Sequence, residues 1–179
     1  MITASPHPRL SSPTPGWREL WRDAITDAGE LLQAVGLDDR TDLLPIDDAG
    51  FTLRVPRGFV ARMRRNDPTD PLLLQVLPQR AEHDQVEGFT LDAVGDMASK
   101  AGHGLLHKYH GRALLIASGS CAINCRYCFR RHFPYGEEIA AAGQWRQALE
   151  QLRRDDSISE LILSGGDPLA LATGKLEEL

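Results

Sequence analysis

The chain has 179 residues, of which 42% are hydrophobic and 25% charged, proportions of an ordinary globular protein with enough length for a real core. Its formal net charge of −5 gives no electrostatic reason to expect a nucleic-acid partner. No apolar run approaches the roughly 20 residues that span a bilayer, and MITASPHPRLSSPTPG lacks the apolar stretch of a signal peptide, so no membrane partner is expected and a reducing cytoplasmic setting is.

Residues 1–15, rich in Pro, Ser and Thr, are expected to form a loose tail. Trp17, Leu20, Trp21 and Ala24 then recur at helical spacing, with the tryptophans read as packing residues. A second helix is expected from Asp27, an N-cap with Glu30 three positions on, to Val35 before Gly36. FTLRVPRGF (51–59) reads as extended, with Pro56 opening a helix through Met63 and RMRRN (62–66) forming its solvated end. Asp70 and Pro71 mark a helix start, and Leu72 to Leu77 supply its buried face before Pro78. Residues 79–104, polar and without a period, read as a wrapping linker. Residues 16–104 are thus expected to form a helical N-terminal region that packs on, or covers, the C-terminal part of the chain.

RALLIAS (112–118) reads as a buried strand between Gly111 and Gly119. A helix is expected around 143–154, with Trp145, Ala148, Leu149 and Leu152 on one face. ELILS (160–164) reads as a second buried strand ending in GGDP, and GKLEEL (174–179) begins another helix. Strand, loop, helix, strand, loop, helix is the start of a parallel α/β array, so residues 105–179 are expected to be the first βα units of a (β/α) barrel. In such a barrel the loops at the C-terminal ends of strands carry the site.

The first of those loops, CAINCRYCFRRHFPY, holds all three cysteines of the chain, Cys121, Cys125 and Cys128, in C-x3-C-x2-C spacing. An odd count in a chain without secretory features argues against a disulfide framework. A structural zinc site would want a fourth ligand, which His132 could supply, and a thioredoxin-like pair would leave Cys121 idle. Three thiolates on one loop suit three irons of a [4Fe–4S] cluster, which usually takes four cysteines; one iron is then left open. This pattern resembles the signature of radical S-adenosylmethionine (SAM) enzymes, in which the open iron binds SAM. Tyr127 resembles the aromatic those loops carry before the last cysteine, near the adenine of SAM. SGGDP (164–168) resembles their Gly-Gly-Glu-like turn, which implies SAM contacts at Gly165, Gly166 and Asp167.

GLLHKYHGRALL, CAINCRYCFRRHFPY and LILSGGDPL together resemble the lysine 2,3-aminomutase family of radical SAM enzymes, and within it the bacterial elongation factor P β-lysylation branch; DPLLLQVLP is similar to its N-terminal region. The resemblance implies an isomerase that moves the α-amino group of L-lysine to the β-carbon, using a [4Fe–4S] cluster, SAM and pyridoxal 5′-phosphate (PLP). It also implies an electron donor and a pathway link to elongation factor P and its lysyl-transferring ligase, and it is compatible with a homo-oligomer. By position, Arg130 matches a residue that pairs with the lysine carboxylate, a task suited to a guanidinium, while Tyr109 and Arg112 match residues that hold PLP. Lys108 stands where the family more often has arginine, and Lys175 is too early to be the Schiff-base lysine. A complete barrel takes roughly 200 to 250 residues, so the chain is expected to be the N-terminal half of a longer protein, able to bind a cluster but not to isomerise lysine alone. A catabolic aminomutase and a non-catalytic metal-binding module are the alternatives.

Overall fold

The computed structural model describes residues 16–45, 52–139 and 145–179. The expected tail at 1–15, Phe51 and the first two positions of the helix expected from 143 lie outside the described residues.

Helix α1 (Trp17–Arg22) leads into α2 (Ala28–Ala34). The Asp27 side chain caps α2 by accepting the Glu30 N–H at 2.7 Å, as the sequence predicts. Gly36, at φ +77°, closes it: the Leu37 N–H reaches back to Leu32 O and the Gly36 N–H to Gln33 O, the paired bonds of a Schellman ending. Two helices expected downstream are shorter than their apolar patterns suggest. Pro56 precedes α3 (Arg57–Val60) instead of opening a helix through Met63, and α4 spans only Leu73–Val76. Asp70 caps α4, accepting the Leu72 and Leu73 N–H groups at 2.9 Å and the Arg64 N–H at 3.1 Å. Ile25, Leu31, Val35, Val55, Leu73 and Val76 close a core around these elements, tied by a bridge between Ile25 and Val55. The tryptophans are not part of it. Trp17 is 47% exposed, and Trp21 lies under the Arg54 guanidinium at 4.0 Å and points to the cysteine loop.

The second layer is a four-stranded sheet in the order β1 (Lys100–Gly102), β2 (Leu105–Tyr109), β3 (Arg112–Ser118), β4 (Glu160–Gly165). Here the sequence reading needs correction. The two strands it named are present, but β1 and β2 stand before them, with β2 antiparallel to both of its neighbours, β1 and β3. LLHKY alternates only weakly, and a two-residue His110–Gly111 turn, with Gly111 at φ +72°, folds it onto RALLIAS. The end of the supposed linker, Lys100–Gly102, is itself a strand. Among the described residues the one parallel pairing is that of β3 with β4, joined through α5 (Tyr135–Glu138) and α6 (Trp145–Arg154). Strand β3 is buried on both faces, with Ala113, Leu115 and Ala117 packed under Trp145 and Ala148 of α6. Strand β4 is not the buried strand expected: at the sheet margin, Leu161, Ile162 and Leu163 are each more than a third exposed. The fold is a mixed α/β sheet, ending in α7 (Thr173–Glu178).

Candidate metal centre

Both motif-bearing loops leave the same edge of the sheet, because β3 and β4 are parallel neighbours and each loop follows its strand's C-terminal end. They are laced together by backbone. The Gly166 N–H donates to Ser118 O at 2.6 Å, and the Asp167 N–H donates to Ser120 O at 2.8 Å. This contact explains the glycine pair. A Cβ on Gly165 would lie 2.1 Å from Ser118 O at a φ of +112°, and one on Gly166 would lie 2.5 Å from Ser120 O. No side chain fits at either place. The Asp167 carboxylate accepts the Leu169 N–H at 2.9 Å and so caps the short turn Pro168–Ala170.

Cys121, Cys125 and Cys128 are all free thiols, half-buried on one loop. Burial pushes the Cys121 thiol up, and the charges of Cys128, Asp167 and Cys125 push it the same way; the Asp167 N–H acts in the opposite sense. The three thiols and Asp167 therefore lie within electrostatic reach of one another. Among the described residues, no three His, Cys, Asp or Glu side chains converge on a single metal ion. A cubane asks each thiolate for a different iron. The donor set fits an iron–sulfur cluster. Burial, then the Arg131 charge, holds the His132 pKa down.

Tyr127 is 67% exposed. It lies with Cys128, Phe129 and His132 on one wall of an open groove of about 1130 Å³, opposite residues 82–91. Arg130 is 5% exposed, with its Nε donating to Asp96 Oδ2 at 2.7 Å and its Nη1 to Ser164 Oγ at 2.6 Å. The rings of Phe129 and Phe133 lie 5.0 and 5.9 Å from its guanidinium. It does hold a carboxylate, but one of its own chain. The structure does not bring Tyr109 and Arg112 to this site. They pair with each other across the β2–β3 turn, at the start of β3, and β3 runs about 20 Å at roughly 3.3 Å per residue before the cysteine loop begins. Arg112 is engaged by Glu160, and both residues are about half exposed.

Sequence reasoning missed Glu82 and Asp96, which lay in the segment read as linker. Glu82 accepts Arg126 Nε at 2.6 Å and is also paired with Arg131. Burial pushes its carboxyl up, but the hydrogen bonds from Arg131 and the Gln79 N–H, with the charges of both arginines, outweigh this and hold it below the usual carboxylate range. A signal for both acids was available. CRYCFRRHF carries Arg126, Arg130 and Arg131 on one short loop, and cations that fold inward require carboxylate partners.

Comparison with known proteins agrees with this geometry. Residues 102–179 match a family described as a 4Fe-4S single cluster domain, so this part of the chain is similar to a cluster-binding domain of that kind. The chain is 45% identical to the L-lysine 2,3-aminomutase of Escherichia coli over 91% of its own length and 48% of that protein. Against the proteins of the same name from Haemophilus influenzae and Buchnera aphidicola it is 42% and 41% identical, each over 86% of this chain and 46% of the relative. The chain fits the lysine 2,3-aminomutase family, and it spans about half the length of these curated relatives.

Proposed function

We propose that the chain carries the cluster-binding part of a radical SAM, PLP-dependent lysine 2,3-aminomutase, the beginning of a partial (β/α) barrel. It would convert L-lysine to β-lysine in the cytoplasm for attachment to elongation factor P. One observation carries this reading above the others: three free thiols on one loop are laced to the SGGD turn of the neighbouring parallel strand, in a chain similar to proteins named L-lysine 2,3-aminomutase. Cys121, Cys125 and Cys128 would hold three irons, leaving the fourth for SAM. A cluster held there would supply the electron for reductive cleavage of SAM. Gly165 and Gly166 have no side chains to obstruct SAM, while Asp167 carries a negative charge suited to its ammonium group. Tyr127 borders a groove with room for a nucleoside.

Arg130 would receive the lysine carboxylate only by giving up Asp96, a like-for-like exchange of one carboxylate for another. PLP dependence and the link to elongation factor P rest on family likeness. The test is anaerobic incubation of the reduced, cluster-loaded protein, as isolated from its source cell, with SAM, PLP and L-lysine; the 179-residue chain by itself is expected to form no β-lysine. The incubation is paired with the intact mass of elongation factor P from cells with and without the gene. β-Lysine formation and a lysyl-sized mass loss on deletion support the reading. β-Lysine without a change in elongation factor P would instead indicate a catabolic aminomutase.

A further inference from the structure

The cysteine loop is held from the N-terminal region at several points between Cys121 and Arg131. Cys121 O accepts the Trp21 Nε1–H at 3.0 Å. The Asn124 N–H donates to Arg54 O at 3.0 Å, and its Nδ2 donates to Thr52 O at 2.6 Å. The Arg126 N–H donates to Gln75 O at 2.8 Å, and its Nη1 donates to Leu74 O at 3.2 Å. Ile123 packs onto the N-terminal core. Two carboxylates supply the charged part of this scaffold: Asp96 holds Arg130, and Glu82 holds two arginines at once. Glu82 accepts Arg126 Nε at 2.6 Å on Oε1, which also takes the Gln79 N–H at 2.9 Å, and binds Arg131 through Oε2. Arg126 lies between Cys125 and Cys128, and Arg131 lies three residues past Cys128. Side-chain exposures of 15% for Glu82 and 14% for Arg131 leave little water to screen the pair.

We propose that Glu82 is a positioning residue for the iron–sulfur cluster: by bridging Arg126 and Arg131 it fixes the loop that carries Cys125 and Cys128 and sets the charge beside the irons they hold. The proposal rests on reading these cysteines as cluster ligands. Its two parts share the same contacts. A carboxylate that ties two arginines of one loop removes that loop's freedom, and partners of this kind outside the ligand set govern metal retention. Reduction adds an electron to the cluster, so a nearby positive charge favours the reduced state and a nearby negative charge opposes it. Glu82 offsets one of two guanidinium charges.

The experiment compares the anaerobically reconstituted wild-type protein with Glu82→Gln, Glu82→Asp and Arg126→Gln. The midpoint potential is read by EPR-monitored titration, and iron release to a chelator is followed in the oxidised state. Glu82→Gln is expected to shift the potential to more positive values and to release iron about 10-fold faster or more. Arg126→Gln is expected to shift the potential the opposite way, and Glu82→Asp to stay near wild type in potential. A merely structural role would not move the two charge variants in opposite directions. Equal potentials, or shifts of the same sign, would overturn the proposal. If Glu82→Gln loads no cluster, amide exchange decides: faster exchange confined to 121–131 supports the proposal, and unchanged exchange there overturns it. A wild-type protein that takes up no cluster overturns the cluster reading itself, an outcome distinct from failure of the Glu82 variants.

Discussion

The lacing of the SGGD turn to the root of the cysteine loop can be tested by adding a single methyl group. In Gly166→Ala the new Cβ would meet Ser120 O at 2.5 Å, against a backbone that cannot rotate aside. Either the turn lifts off, losing the hydrogen bonds to Ser118 and Ser120, or strand β4 moves within its ladder with β3. Overpacking of this kind costs about 1–3 kcal/mol, and loss of the two backbone bonds adds roughly 1–3 kcal/mol more if their groups stay buried. With about 3 kcal/mol lost and an m-value of roughly 2 kcal/mol/M, the urea midpoint should fall by about 1.5 M. Gly165→Ala should do at least as much, since its Cβ would lie 2.1 Å from Ser118 O at positive φ. Gly174→Ala, in α7 with nothing within 4 Å, is the control; there alanine should be neutral or stabilising by up to about 1 kcal/mol. A Gly166→Ala midpoint equal to wild type would refute the close approach and with it the reason for glycine at both positions.

Three further outcomes rest on named contacts. Asp96→Asn leaves the Arg130 guanidinium buried without its carboxylate and should cost about 3–5 kcal/mol in urea unfolding; a loss below about 1 kcal/mol would contradict the pair's burial. For Asp70, burial pushes the carboxyl up, but N–H groups of Leu73, Arg64 and Leu72 outweigh this and hold it below its usual range. Its contribution should then be complete above the unfolded value of about 3.9 and vanish as pH falls through the lower folded value. The difference between wild type and Asp70→Ala, about 1 kcal/mol at pH 7 for a lost helix cap, should accordingly shrink in unfolding measured near the acid limit; a difference constant with pH would contradict it. Trp21→Phe removes the donor to Cys121 O and should cost about 0.5–1.5 kcal/mol. It should also speed amide exchange around Cys121, whereas unchanged exchange would place the indole outside the site.

Local rules made the caps legible: Asp27, Gly36 and Asp70 act where residue type and spacing put them. The cysteine spacing and the SGGD turn were legible for the same reason, since each is a short motif with one geometric purpose. What was not legible is long-range. Strand β2 hides in LLHKY because its neighbours, not its periodicity, hold it in the sheet. Helices α3 and α4 stop early because their apolar residues fill one compact core instead of one continuous helix face. Glu82 and Asp96 sat in a polar stretch without a period, and only folding brings them to arginines 44 and 34 residues away. Arg130 was singled out by position as the partner of a substrate carboxylate; its partner in the folded chain, Asp96, could not be read from spacing.

A cluster and a zinc ion on the three cysteines differ in their spectra. The most direct measurement is the EPR spectrum of the anaerobically reconstituted, dithionite-reduced protein, recorded before and after addition of SAM. A reduced [4Fe–4S] signal is expected that changes on SAM addition, disappears in Cys128→Ser and persists in His132→Ala. A protein that binds zinc and no iron, and loses it in His132→Ala, would contradict the cluster assignment.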